Sequence, residues 1–343
     1  MLDEKYGSRD KRGDWKPFKI WEYPPVFTWP PKPMKFTKWL FGYPGFILPW
    51  NAFYALVAIG VWNILPPIET YRAFELGWIA YIWAINIALV SCFFGFFHLR
   101  LYVQRKQGSE FKYNAKWLAT DSPYFFLNNQ TFDNLFYTYV SGVSIWTAWQ
   151  AVTLWLYANS YIPQVSFAEH PVWVVVMFFL VVVWRDLHFY LVHRLIHWPP
   201  LYRISHHVHH RNANIGPWSG LSMHPIEHAI YFSCVVFSWV IASHPVNAIH
   251  NLLHAGLGPA PGHTGFDQLV VGNDHLVTLV GHDHYLHHKN YEVNYADGIF
   301  PIDKWFGTFH DGSDEAEARM TERFLARKRR LEEREARKRS SVS

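Results

Sequence analysis

Histidine is the residue type in this chain whose abundance and spacing indicate a chemical function. The chain has 21 histidines among 343 residues, and many of those between residues 186 and 288 recur three, four or seven positions apart, which places side chains on one face of a helix. Neutral imidazoles are metal ligands, and one borderline divalent ion takes about four to six such donors. Ten aligned histidines therefore predict a site for two ions. They are His193, His197, His206, His209, His210, His250, His254, His284, His287 and His288.

Other residues of the same region are expected to support these ligands. A carboxylate or another polar group commonly orients a ligand imidazole through its second nitrogen, and His207 lies one position off the ligand face. A single histidine pair four residues apart is often coincidental, so His224 and His228 are only further candidate ligands. His282 is a third, as an additional histidine that could replace or supplement a ligand next to His284. The expected supporting residues are Asp186, Tyr190, His207, Glu227, Asp274 and Asp283.

Composition excludes several other kinds of protein. The chain has only two cysteines, Cys92 and Cys234, and both lie in apolar stretches, which excludes a disulfide framework, an iron–sulfur cluster and a cysteine-based zinc site. The net charge of +4 is small and concentrated near the ends, so no nucleic-acid partner is expected. Charged residues make up 17% of the chain, against roughly 25% in soluble domains. This composition favours a membrane protein.

Long apolar runs provide the elements that must position the histidines. A helix needs about 20 mostly apolar residues to span a bilayer. Four runs are interpreted as spans, and the last is expected to continue as a helix out of the membrane into the first histidines. A fifth run, residues 229–243, is short and predicts a re-entrant or interfacial hairpin with residues 246–257. The four predicted spans are residues 46–65, 76–97, 135–158 and 172–184.

These runs predict an all-α fold, a multi-span helical bundle with a histidine-rich helical cap that holds two metal ions. Nine Lys or Arg residues precede the first span and five follow the second, whereas the other two connections carry one and none. Because cytoplasmic loops are enriched in Lys and Arg, both termini and the metal site are predicted to be cytoplasmic. The expected organisation is a cytoplasmic segment 1–44, a membrane domain 45–312 and a charged tail 313–343.

The histidine pattern resembles that of the fatty acid hydroxylase/sterol desaturase superfamily, whose members are integral membrane di-iron proteins. The resemblance covers residues 172–309 and rests on the spacing of all ten histidines. It extends to the His-Pro element at His224-Pro225, to His254-Ala255-Gly256 and to the C-terminal Asp303-Lys304-Trp305-Phe306-Gly307-Thr308. The glycine- and proline-rich stretch 258–281 departs from the family pattern and contains the additional residues His263 and His275.

The resemblance implies two iron ions, with zinc as an alternative in a purified form, and O₂ as co-substrate. The reaction implied is hydroxylation or desaturation of a lipid that enters from the bilayer, with fatty acyl, sterol-like, carotenoid and amino-lipid substrates all open. Electrons must then come from a separate donor, a b-type cytochrome or a ferredoxin with its reductase. The basic tail is a candidate docking segment for that donor, although a simply solvated tail is the simpler interpretation. Its basic residues are 327–330, Arg334 and 337–339.

Three alternatives remain at this stage. An alkane-monooxygenase-type enzyme is disfavoured because the stretch 290–295 lacks the histidine that such enzymes carry. A metal transporter or metal-sensing membrane protein would need ligands along a path through the membrane, and a catalytically inactive relative would keep the fold alone. A bacterial inner membrane is favoured over the endoplasmic reticulum because the last residues do not form a retrieval signal. Oligomeric state is left open.

Overall fold

The protein is mostly helical. The structure, a computed structural model, describes residues 2–19, 23–272, 275–296 and 298–340. Two small antiparallel sheets are present, β1 (Gly7–Arg9) with β2 (Trp15–Pro17), and β3 (Gln268–Val271) with β4 (His275–Thr278). The helices are α1 (Pro33–Phe41), α2 (Ala52–Ile64), α3 (Leu76–His98), α4 (Gln130–Phe136), α5 (Ser144–Ala158), α6 (Pro171–Ile196), α7 (Pro199–Leu201), α8 (His207–His210), α9 (Pro225–Phe232), α10 (Phe237–Val240), α11 (Pro245–Leu257), α12 (Pro259–Gly262), α13 (His282–Asn290), α14 (Ile302–Trp305) and α15 (Asp314–Ser340).

Three helical stretches within the described residues are long and apolar enough to cross a membrane. They are Ile47–Ile64, Leu76–Val103 and Pro171–Ile196. The first and second include π-helical segments that flank α2 and α3. The third is α6, which extends without a break from the apolar run into the first two histidines of the predicted site. The prediction of a helical membrane bundle is confirmed in this coarser form.

The remaining predicted span, 135–158, is helical but more polar. The helix α4, a π-helical segment Tyr137–Val143 and α5 follow one another directly. Asn86 of α3 donates hydrogen bonds from Nδ2 to Thr147 Oγ1 and to Gln150 Oε1, both at 3.1 Å. These polar side chains face the interior of the bundle and are buried. They lower the hydropathy of the stretch, and the number of spans stays a prediction.

The helix α11 lies inside the bundle. After α9 and α10 the chain reverses direction at His244, whose Nδ1 accepts a hydrogen bond from the backbone N–H of Val246 at 3.2 Å and so caps α11. The helix then packs against α2, α5 and α6, and nearly all of its side chains are buried. This helix–turn–helix has the form of the predicted hairpin.

A polar cap lies at the end of the bundle where α6 terminates. Residues of the N-terminal segment fold back onto it, with Trp15 buried against Phe111 and Tyr113. Tyr113 in turn stacks on Tyr285 of α13, with ring centroids 5.1 Å apart. Because α13 also carries three of the predicted ligands, the N-terminal segment buttresses the helix that presents them.

Close packing of α11 against α5 yields a prediction on stability. A Cβ atom added to Gly256 would lie 2.3 Å from the ring of Trp146, which is fully buried. Gly256→Ala should therefore lower the free energy of unfolding by about 1–3 kcal/mol, visible as a lower Tm of the detergent-solubilised protein. Gly60→Ala is the matched control, because an added Cβ there meets nothing within 4 Å. Equal Tm values for the two variants would contradict this packing.

Candidate metal centre

Four chain segments bring nine candidate ligand histidines to one place. His193 and His197 lie one turn apart at the end of α6, which stops there because Pro199 and Pro200 follow. The next segment, a π-helical turn Tyr202–His206 and α8, carries three more of these candidates, His206, His209 and His210. The helix α13 carries another three, and His263 follows directly after α12.

The histidines form two clusters, each with the composition of a metal site. Within each cluster the ligand nitrogens all lie within 4.8 Å of one another, and every member is buried except the half-buried His197. The clusters adjoin, since the rings of His210 and His288 have centroids 5.0 Å apart. The first cluster consists of His193, His197, His206, His210 and His287, and the second of His209, His263, His284 and His288.

Backbone carbonyls determine which nitrogen of several rings carries the proton. A carbonyl oxygen can only accept, so an Nδ1 atom bonded to one must be the N–H, and the Nε2 atom of the neutral ring then holds a lone pair. Four ligand histidines are held in this way, two in each cluster. The pairs are His193 with Tyr295 O at 2.8 Å, His287 with Val293 O at 2.6 Å, His209 with Ser222 O at 3.3 Å and His263 with Pro259 O at 2.9 Å.

The Nε2 atoms then face one another at distances that suit a shared ion. In the first cluster, the Nε2 atom of His197 lies 3.1 Å from that of His206 and 3.2 Å from that of His287. In the second cluster, the Nε2 atom of His284 lies 3.0 Å from that of His263 and 3.2 Å from that of His288. Two nitrogens bound at about 2.1 Å to one ion are about 3.0–3.4 Å apart for right-angle to tetrahedral geometry. Converging lone pairs repel unless a cation lies between them, so the donor set fits a metal ion in each cluster.

The protein environment keeps these rings neutral. Burial lowers the pKa of His209 to about 4 and that of His263 to about 3. Burial also holds the pKa values of His284, His287 and His288 well below the usual range, and neighbouring histidines lower them further. A ring with such a pKa is unprotonated at pH 7 and available as a ligand.

One carboxylate supports a ligand directly. Glu227 is 2% exposed, and its Oε1 atom accepts a hydrogen bond from His206 Nδ1 at 2.7 Å. Burial raises the pKa of the Glu227 carboxyl well above its usual range, whereas a cation bound by His206 would favour the ionised form. Of the expected supporting residues, Glu227 is the one whose contact with a cluster histidine is observed among the described residues.

The other expected supporting residues lie elsewhere. Asp186 Oδ2 accepts hydrogen bonds from the backbone N–H groups of Ile299 and Phe300 at 3.1 and 2.8 Å, so it fixes the C-terminal loop to α6. Tyr190 packs in a small cluster against Tyr295 and Ile302. His207 is exposed, and Asp283 is the second residue of α13, where its backbone carbonyl accepts a hydrogen bond from Asn294 Nδ2. Asp274 lies outside the described residues.

Two predicted ligands, His250 and His254, lie outside both clusters, and their role as ligands stays a prediction. His250 and His254 point into the bundle from α11, because that helix is surrounded by other helices rather than by the cap. His254 Nε2 donates to Asn51 Oδ1 at 3.0 Å, and the ring of His250 packs against that of Phe178 with centroids 4.9 Å apart.

The three further candidates are also outside both clusters. His224 caps α9 by accepting a hydrogen bond from Ile226 N–H. The Nδ1 atom of His228 lies 2.9 Å from Ser141 Oγ, and the ring of His282 packs against that of Tyr113. Sequence reasoning missed His263, which stands alone at a helix end. Its only signal was that it is an additional histidine in the stretch 258–281.

Metal content distinguishes the ligand set of the two observed clusters from the ligand set predicted by spacing. Because His263 completes the second cluster, His263→Ala should reduce the bound metal of the purified protein from about two ions per chain towards one. His250→Ala removes a histidine that the spacing predicted and the structure places elsewhere, so it should leave metal content unchanged. Elemental analysis by mass spectrometry measures both variants. The reverse result would restore the ligand set predicted from the sequence.

Glu227 is testable through metal affinity. Glu227→Gln keeps an acceptor for His206 Nδ1 but removes the negative charge, so metal affinity should fall by about tenfold. Competition with a chromogenic chelator gives the affinity, and Glu169→Gln, which changes an exposed carboxylate, is the control. Unchanged affinity in Glu227→Gln would show that the carboxylate does not act on the metal site.

Comparison with known proteins identifies the region that carries these clusters. The family model described as fatty acid hydroxylase matches residues 178–308. A Delta(7)-sterol 5(6)-desaturase of Aspergillus fumigatus is 26% identical over 159 residues, which cover 40% of this chain and 49% of the relative. A Delta(7)-sterol 5(6)-desaturase of Saccharomyces cerevisiae is 23% identical over 153 residues, covering 44% and 41%. A fatty acid hydroxylase of Mycosarcoma maydis is 32% identical over 131 residues, covering 36% and 32%.

No solved structure matches the chain. The chain spans about half the length of the first of these relatives and less of the other two. The matched region contains every histidine of both clusters. The resemblance seen in the sequence is thereby confirmed for this region, since residues 178–308 match the fatty acid hydroxylase model and are similar to sterol desaturases and to a fatty acid hydroxylase.

Proposed function

We propose that this protein is a membrane-bound di-iron oxidoreductase that uses O₂ and external electrons to hydroxylate or desaturate a lipid. The observation that carries the proposal is the pair of adjoining clusters, which together offer nine imidazoles and no thiolate. The chain also has three apolar helices of membrane-spanning length within its described residues. The relatives are by name sterol desaturases and a fatty acid hydroxylase, which supports a lipid as the substrate class.

The residues of each cluster would hold one iron ion. Imidazole-rich sites without sulfur suit iron and also zinc, so zinc could replace iron in a purified form. When bound and reduced, an iron pair supplies the activation of O₂ needed to oxidise an unactivated C–H bond. The protein's own contribution is to fix the ligands, exclude water and position the lipid.

Hydrogen bonds within the chain orient four of the candidate ligand rings. The carbonyls of Val293, Tyr295, Ser222 and Pro259 hold four rings in the tautomer whose Nε2 atom is free. Their N–H groups are thus engaged away from the metal side of the ring, and no proton must be removed from Nε2 on binding.

An aromatic side chain separates the clusters from the bundle and offers an apolar surface to a lipid. The ring of Phe189 lies 4.9 Å, between centroids, from that of His193 in the first cluster and 6.3 Å from that of His284 in the second. The same ring contacts Tyr231 at the bundle side. A hydrocarbon chain that approached from the membrane would pack on Phe189 next to both ions.

We further propose that the metal centre faces the cytoplasm. The start of α2 lies beside the cap, since Trp50 Nε1 donates to Thr278 O at 3.1 Å. The segment that precedes α2 carries nine Lys or Arg residues, the charge expected on the cytoplasmic side. A soluble or membrane-bound electron donor could then reach the cap. The relatives found are fungal and lend no support to a bacterial membrane.

Lipid analysis tests the proposed reaction. Expression of the chain in cells should produce a lipid that has gained one oxygen atom or lost two hydrogen atoms, detected by mass spectrometry of lipid extracts. His209→Ala should abolish this product because the second cluster loses a ligand. His170→Ala, at an exposed histidine outside both clusters, should retain it. Full product formation by His209→Ala would refute the proposal.

A further inference from the structure

Arg185 of α6 is a buried cation that forms no ion pair within 4 Å among the described residues. It is 6% exposed and lies within the apolar stretch Pro171–Ile196. Its Nη2 atom donates to Tyr231 Oη at 3.0 Å, and its Nε and Nη1 atoms have no hydrogen-bond partner. Charged groups at such positions are costly, face the bundle interior and generally mark a substrate or ion site.

Neighbouring side chains form no direct ion pair with Arg185, and the nearby carboxyl of Asp186 acts on it only at longer range. The guanidinium lies over the ring of Tyr231, 4.9 Å from its centroid, and the thiol of Cys234 is adjacent. Asp186 follows in the sequence, but its Oδ2 atom binds the backbone of the C-terminal loop. The partners of Arg185 within the described protein are therefore neutral groups.

Arg185 is aligned with the metal centre along one side of α6. Arg185, Phe189 and His193 are spaced four residues apart, so their side chains lie along neighbouring positions of the same helix face. Eight residues of helix separate the cation from the metal ligand by about 12 Å. Phe189 stands between them, and Tyr231 contacts both Arg185 and Phe189. The cation, the two aromatic rings and the histidine clusters thus form one continuous row of contacts.

From this arrangement we infer that Arg185 binds the carboxylate of a long-chain lipid whose hydrocarbon chain packs on Tyr231 and Phe189. A carboxylate satisfies the charge of the guanidinium and accepts from its unpartnered N–H groups. The apolar chain of the same molecule would extend towards the histidine clusters. Under the proposed oxidation, on which this second part of the inference rests, the C–H bond attacked lies about 12 Å from the carboxylate and not next to it.

Direct binding tests the carboxylate site independently of oxidation. The purified, metal-loaded protein in detergent is titrated with a fluorescent long-chain fatty acid, and with the corresponding alcohol and methyl ester as competitors. The acid should bind and be displaced poorly by both neutral analogues. Arg185→Met should weaken binding of the acid by about thirtyfold or more, as expected for loss of one partner of a buried charge pair. Arg185→Lys should retain part of the affinity.

Two controls separate loss of the site from loss of the fold. Arg72→Met removes an exposed arginine and should bind the acid like the unaltered protein. Arg185→Met replaces an unpaired buried charge by an apolar side chain of similar length, which is commonly neutral or stabilising, so its Tm without lipid should not fall. The acid should raise the Tm of the unaltered protein and not that of Arg185→Met.

The outcomes distinguish this inference from the proposed function. Equal binding of the acid by Arg185→Met and by the unaltered protein, or equal binding of the alcohol and the acid, would overturn the carboxylate site. Binding that depends on Arg185 without any oxidised product would support the site and count against the proposed oxidation. Where product is formed, fragmentation mass spectrometry locates the altered carbon, and oxidation next to the carboxylate would overturn the predicted distance.

Discussion

The arrangement of the cap depends on one interaction, the hydrogen bond from a ligand Nδ1–H to a backbone carbonyl. It requires the carbonyls of residues 222, 259, 293 and 295 to lie behind the rings that they orient. Residues 222, 293 and 295 lie outside the helices, where backbone carbonyls are not used by a helix. Pro259 is the first residue of α12, and its carbonyl also accepts the backbone N–H of His263. The loops must therefore be held as rigidly as the helices. Asp303 does this for one of them by accepting from the backbone N–H groups of Tyr295 and Ala296.

The same requirement explains why the two ends of the chain fold onto the cap. Asp186 connects the C-terminal loop to α6 through Ile299 and Phe300. The carbonyl of Tyr295, which lies in that loop, is therefore held in position relative to the helix that carries His193. On the opposite side, Trp15 and Tyr113 pack behind Tyr285 of α13. The N-terminal segment thus packs on the histidine-rich cap.

Residue spacing predicted most of the centre because helices impose it. Eight of the ten histidines predicted as ligands lie in the two clusters, since a spacing of three or four residues fixes which side chains share a face. Spacing does not determine where that face points, and His250 and His254 share a face that points into the bundle. Nor can spacing detect a ligand such as His263 that is placed by a proline- and glycine-rich turn. The apolar runs predicted helices correctly, while buried Asn86, Thr147 and Gln150 show why hydropathy alone undercounts polar bundle helices.

Polar groups inside the bundle fall into two kinds, and the difference bears on function. The amide of Asn86 is satisfied by Thr147 and Gln150, so this group stabilises the contact between α3 and α5 and needs nothing from outside the chain. Arg185 is different, because its charge has neutral partners and two of its nitrogens have none. A purely structural role would be served equally well by an apolar residue in that position. The energetic cost of this buried charge is more readily explained if an anionic ligand pairs with it. The alignment of Arg185 with Phe189 and His193 would place that ligand along the row of side chains that leads to the histidine clusters.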